Sequence, residues 1–270
     1  MNNTEYWDKR NNQIFSRVGH WQGGVDVNCQ GHSLMNELMG KVSLMQLNIL
    51  NATGKLVDRA VADWVELCVM GLSYPDSRIW CNQISAYAGD TDASVVAAAS
   101  AAILSADSRA YGGSQARYIS MSQQLQAFND YAAGMSFSDI LVKAKQKNGK
   151  PIIVGFARPI DKEDERLAPF ADIQDRLNIP VGPYLAFAKA LSQYLDEHFN
   201  LSMNCGGYAS AFLLDQGFTP NEGYKINAFA VIGGAVACYR DMEEQSPNSF
   251  LPLKCTDIHY TGIAPRPIED

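Results

Sequence analysis

Two kinds of signature are missing from this 270-residue sequence. No two of its six cysteines stand in a Cys-x-x-Cys or similar pair, and its four histidines (His20, His32, His198 and His259) are scattered, with no His-Glu-x-x-His spacing. A metal site needs such grouping, so none is expected. In a chain this long, Cys29, Cys68, Cys81, Cys205, Cys238 and Cys255 read as reduced, mostly buried thiols and not as a disulfide frame. Basic charge is also scarce: 22 Lys and Arg against 29 Asp and Glu leave a net charge of −7, with no basic run interleaved with aromatics. That excludes the electrostatic footprint of a nucleic-acid or anionic-membrane partner. Long apolar runs are absent too. The longest, Ile226 to Tyr239, is too short to span a bilayer, and the polar opening MNNTEYWDKRNNQ has no apolar core of a signal peptide. A cytoplasmic location is the expectation.

Apolar residues make up 47% of the sequence and charged residues 19%, a globular composition with enough length to bury a core. Helical periodicity dominates. Leu34, Leu38, Val42, Met45 and Ile49 form one stripe at spacings of three and four, which Gly54 stops. Leu56 to Met70 repeats the pattern. The small-residue stretch Asp92 to Ser105 reads as a narrow, buried central helix, and further helices are expected over Ser114–Ala132, Tyr184–His198 and Leu201–Gln216. Ser136 with Asp139 marks another start. Thr219-Pro-Asn-Glu222 is a fuller one, with N-cap, proline and glutamate in order, and its helix is expected to run to about Glu244. Only Pro151 to Phe156 looks like a strand. The architecture is thus all-α, roughly ten helices in one main domain over residues 1 to 270, with a smaller subdomain expected between about residues 116 and 221.

Five segments, in order, resemble the citrate synthase and citryl-CoA lyase superfamily. Glu37-Leu-Met-Gly-Lys-Val-Ser43, with Asn51-Ala-Thr-Gly-Lys55 after it, resembles the family's ELxGRVSFxE and LLxTGRLP segments. Ala110-Tyr-Gly-Gly-Ser114 resembles its HGGA turn. Ile153-Val-Gly-Phe-Ala-Arg-Pro159, with Lys162 and Glu165-Arg166, resembles GFGHPxYKxxDPR. Met203-Asn-Cys-Gly-Gly207 resembles NVDF or NVDG, and His259-Tyr-Thr-Gly262 resembles the terminal YTG. The length is that of short citryl-CoA lyase-like members. The resemblance implies a large and a small helical domain, a homodimer, and an active site in the cleft between the domains. There an acyl-CoA and a 2-oxo acid are joined or parted at a carbon–carbon bond.

That chemistry needs a base for the α-proton and hydrogen-bond donors for the enolate and ketone oxygens. The family's aspartate and two histidines align here with Gly206, Tyr111 and Arg158. Glycine accepts no proton. Tyrosine can donate a hydrogen bond, and arginine, charged at any working pH, can hold a carboxylate or polarise a carbonyl but cannot shuttle a proton. Cys205, beside the lost aspartate, and Asp76, after Tyr74-Pro75, are the candidate replacements for the base. For Cys205 that needs an electropositive site to lower the thiol pKa from about 8.5. By the same resemblance, Arg166 matches a substrate-carboxylate arginine and Lys162 a position that meets the CoA phosphate. Arg266 could match an arginine reaching the partner subunit's site, while Asn204 and His259 are candidate substrate contacts. Cys238 stands where many members have a further histidine. The expectation is a divergent enzyme acting on a small-molecule carboxylate, with a coenzyme A thioester as possible co-substrate. The alternative is a catalytically inactive binding or regulatory homologue.

Overall fold

A computed structural model describes residues 3–107, 113–158, 163–245 and 254–268. Among these, short α1 (Asn3–Asp8) precedes an antiparallel meander, β1 (Gly19–Trp21), β2 (Val27–Cys29) and β3 (His32–Ser33), in the order β1-β2-β3. Then come α2 (Leu44–Thr53), α3 (Arg59–Met70), α4 (Trp80–Asp90), α5 (Val95–Ala106), α6 (Ser114–Ala132) and α7 (Phe137–Lys143). A two-stranded ribbon, β4 (Gln146–Lys147) and β5 (Lys150–Pro151), leads to α8 (Leu167–Arg176), α9 (Pro183–Phe199), α10 (Cys205–Asp215), α11 (Pro220–Ile226) and α12 (Ile232–Glu243). The fold is all-α, as expected.

Local chemistry sets the boundaries. Capping boxes open α2 (Ser43 with Gln46) and α11 (Thr219 with Glu222), each satisfying two otherwise orphaned amides. Gly54, at φ +77°, ends α2.

Four expectations are corrected. The Leu34–Ile49 stripe is not one helix: a π turn over Leu34–Leu38 ends before Gly40, at φ +77°, and Ser43 starts α2 afresh. The helix from Thr219 does not reach Glu244 unbroken. It stops at Ile226, passes through a 3₁₀ turn, and resumes as α12. At that break the Ser73 hydroxyl donates to the Ala230 carbonyl, and Gly234 lies so close to the loop before α4 that a Cβ on it would sit 2.5 Å from the Tyr74 carbonyl oxygen. The expected strand at Pro151–Phe156 survives only as β5, because Gly155 turns the chain at φ +98°. Helix α5 is not central: Ala98, Ala102 and Ala106 are buried, but Val96 and Leu104 are 71% and 78% exposed.

The main core centres on Trp64 of α3, fully buried, with its ring 3.6 Å from that of Phe212 and its Nε1 donating to the Phe170 carbonyl at 3.1 Å. It gathers α2 and α3 together with residues from Met121 of α6 to Ile226 of α11. A smaller cluster, Cys81, Ala102, Ala106 and Ala235, ties α4, α5 and α12.

Candidate active site

The loop 153–158 and the start of α10 are fastened together by one residue. The Asn204 amide donates to the Gly155 carbonyl at 2.8 Å, its Nδ2 to the Ala157 carbonyl at 2.6 Å, and its Oδ1 caps α10 by accepting from Gly207 N at 3.1 Å. The approach requires two glycines. A Cβ on Gly155 would lie 2.6 Å from Gly207 Cα, and one on Gly207 would lie 2.3 Å from the Gly155 carbonyl oxygen. This contact sets Arg158, Asn204, Cys205 and Gly206 in one neighbourhood.

Arg166 joins them through Asp164. The Asp164 carboxylate accepts from Arg166 Nε and Nη2, both at 2.8 Å, and from the Cys205 amide, also at 2.8 Å. Arg166 Nη1 reaches the Gly71 carbonyl at 3.1 Å. Burial alone would raise the Asp164 carboxyl pKa, but the guanidinium and the two amides outweigh it and hold it at about 2. Arg158 is paired as well, with Nη1 2.6 Å from a Glu165 oxygen. That glutamate side chain is 70% exposed, whereas Asp164's is wholly buried.

The two candidate bases are perturbed in opposite directions. Burial pushes the Cys205 thiol up to about 11 against the pull of Arg166, and a protonated thiol is no base at neutral pH. Asp76 turns to Arg78, 2.6 Å away, whose hydrogen bonds hold the carboxyl at about 2. His259 and Arg266 are exposed on the C-terminal segment, which shares no described hydrogen bond or ion pair with this cluster. Tyr111 and Lys162 lie outside the described residues.

Two members of the cluster were not anticipated from sequence. Asp164 is one. The other is Arg117, early in α6 and only 6% exposed. Its Nη1 donates to the Gly206 carbonyl at 2.6 Å and to Ser210 Oγ at 2.9 Å, while its Nε has no partner. Burial pulls its pKa down. The sequence of α6 carries no marked apolar stripe, so its inner face, and with it Arg117, could not be read before packing.

A groove of about 390 Å³, lined by Lys147, Lys150, Ile152, Ile153, Ala157 and others, flanks the Arg158 loop. Among the described residues no group of three His, Cys, Asp or Glu could hold a metal, and no helix is long and apolar enough to cross a membrane.

An all-α chain whose glycine-containing loop is latched to the start of a late helix, with arginines gathered there, has the citrate synthase fold. Citryl-CoA lyase from Hydrogenobacter thermophilus matches it with a TM-score of 0.79 over 95% of this chain and 97% of that one, at 21% identity. ATP citrate lyase from Methanothrix soehngenii, in complex with citrate and coenzyme A, gives 0.77 over 98% of this chain and 45% of the other, at 14% identity. Citrate synthase from Thermoplasma acidophilum, in a ternary complex with carboxymethyl coenzyme A and oxaloacetate, gives 0.64 over 84% and 59%, at 16% identity. The chain thus spans nearly the whole citryl-CoA lyase chain and under half of the ATP citrate lyase chain. No protein-family model matches the sequence, and neither does any curated protein.

Proposed function

We propose that this protein is a divergent enzyme of citrate synthase type, making or breaking a carbon–carbon bond in a carboxylate or 2-oxo acid with an acyl-CoA as the second reactant. The observation that carries the reading is the gathering of Arg158, Arg166 and Arg117 around the first turn of α10 with, among the described residues, one buried carboxylate, Asp164, between them. Such a site draws in an anion. Arg158 is the working grip. Its partner Glu165 is exposed and can swing away to water, so a substrate carboxylate can replace it at little cost. Arg166 is tied to a buried carboxylate and adds background charge and position. Tyr111 takes the part of a hydrogen-bond donor to a substrate oxygen. The thioester lies along the groove beside the Arg158 loop, with Lys147 and Lys150 available to its phosphates; by its motif position, Lys162 also serves a CoA phosphate. The reading includes a homodimer, for which exposed Val96 and Leu104 on α5 offer apolar surface.

The test is turnover. Mixing the protein with acetyl-CoA or citryl-CoA and a panel of 2-oxo acids should release free CoA or consume citryl-CoA, and Arg158→Gln should remove that activity. A second reading, a non-catalytic binding homologue, draws on the protonation states among the described residues of the site: the Asp164 carboxyl held at about 2 and the Cys205 thiol pushed up to about 11 are both far from neutrality. Carboxylate binding without turnover would select it.

A further inference from the structure

The β4–β5 ribbon sets like charges against each other. Residues directly opposite across an antiparallel pair interact, and two charges of one sign there are destabilising. Lys147 stands directly opposite Lys150. The Asn148-Gly149 turn between them, at φ +52° and +75°, holds that register. The Ile152 N–H donates to the Lys145 carbonyl at 2.7 Å and carries the pairing one step further. Side chains alternate along a strand, so Lys145, Lys147, Lys150 and Ile152 share the outer face, while Gln146 and the buried Pro151 take the inner one. The three lysines are exposed, and none forms an ion pair among the described residues. Neighbouring Lys143, by contrast, is held by Asp130 at 2.9 Å. The sequence has no acid from 140 to 160. On a chain of net charge −7, this face is an island of positive charge.

The island rims the groove of about 390 Å³ beside the Arg158 loop. Lys147, Lys150 and Ile152 line that groove, with Ile153, Ala157 and Leu201 beyond them. The phosphates of a free thioester would account for two of the lysines. They do not account for Lys145, which is outside the lining. The lining also holds no aromatic residue and no arginine, so it offers a nucleotide base no stacking surface. A charged face wider than the groove, above an apolar slot, fits a broad acidic surface that inserts a slender arm. The acidic remainder of the chain repels such a partner and the ribbon attracts it, which fixes where it lands.

We propose that the outer face of β4–β5 is the docking surface for an acidic carrier protein, which presents an acyl group as a thioester on a pantetheine arm laid in the groove. This rests on the thioester reading above and adds a second form of donor to it. The reaction is the same for both donors. The α-carbon of the acyl group loses a proton and bonds to the ketone carbon of the 2-oxo acid, and the ketone oxygen gains a proton. The thioester to the carrier stays intact until water cleaves it to an acid and the free thiol.

The test is binding and turnover of an acetyl-loaded acyl carrier protein beside acetyl-CoA, each with the 2-oxo acid panel, on the unaltered full chain and on Lys145→Glu and Lys150→Glu. The carrier should bind, and more weakly as salt rises. Lys145→Glu should weaken carrier binding about 10-fold and leave acetyl-CoA affinity within about twofold. Lys150→Glu should weaken the carrier likewise, yet unfold at or above the temperature of the unaltered protein, since an opposed like pair becomes a pair of opposite charge. Carrier affinity indifferent to salt and to both variants overturns the proposal. So does an equal loss of acetyl-CoA affinity in Lys145→Glu, which would give the lysine face to the nucleotide. Acetyl-CoA that binds and turns over while the carrier fails to bind removes the docking surface and leaves the thioester reading standing. Binding of neither donor removes both.

Discussion

Asp164 grips Arg166, two residues along the chain, through two parallel hydrogen bonds of 2.8 Å, and with the same carboxylate holds the first amide of α10. A single buried carboxylate therefore fixes the direction of an arginine and the start of a helix.

Asp164→Ala should cost about 3–5 kcal/mol in denaturant unfolding, the range for removing one partner of a buried pair. The pH dependence has a definite sign. The folded carboxyl, at about 2, lies below an unfolded value of about 3.9, so its stabilisation is complete above about pH 4 and is lost as pH falls toward 2. Acid titration of unfolding should show that loss, and Asp164→Asn should flatten it.

Arg158 and Arg166 should separate on substitution. Arg158→Gln is expected to weaken carboxylate binding by about 2 kcal/mol and to cost only about 1 kcal/mol of stability, since Glu165 is exposed and the Glu163 carbonyl alone loses its donor. Arg166→Gln should do the reverse, costing stability because Asp164 is left buried and unpaired. Calorimetry alongside unfolding of both variants checks this.

Gly155→Ala and Gly207→Ala should each destabilise by more than about 3 kcal/mol, because the new Cβ falls 2.6 Å or less from opposing backbone atoms that no rotamer change can move. Gly134→Ala is the control. It also has positive φ but nothing within 4 Å, so only backbone strain, about 1 kcal/mol, is expected.

Cys205 should resist iodoacetamide in the native protein at pH 7 to 8 and react once the chain is unfolded, since burial holds the thiol protonated to about 11. Rapid native labelling would restore it as a nucleophile or base. Mass spectrometry of the peptide settles which.

Much of the fold was legible in the sequence because the cues were local. Gly54, Ser136 and Thr219 are caps whose chemistry acts within four residues, and α3, α6, α7, α9 and α10 lie close to where periodicity put them. The failures came where a distant contact decides. Nothing within Thr219–Glu244 announces that Ser73 and Tyr74 will press on Ala230 and Gly234 and break the helix. The meander β1–β3 was missed because its strands are two or three residues long, with little alternation. At the site, Arg158, Asn204, Cys205, Gly206 and Arg166 were identified together from their motifs. Their pairing was not legible. Asp164 sits between two motif positions without belonging to either, and Arg117 becomes noticeable only once α6 is packed against α10.

The most direct measurement is CoA release from an acyl-CoA in the presence of a 2-oxo acid panel, with calorimetric titration of both ligands on the same protein. The account predicts that a 2-oxo or dicarboxylic acid and a CoA thioester both bind, and that one pair turns over in an Arg158-dependent manner. Absence of binding by every acid and by the thioester, with no CoA released, would contradict it.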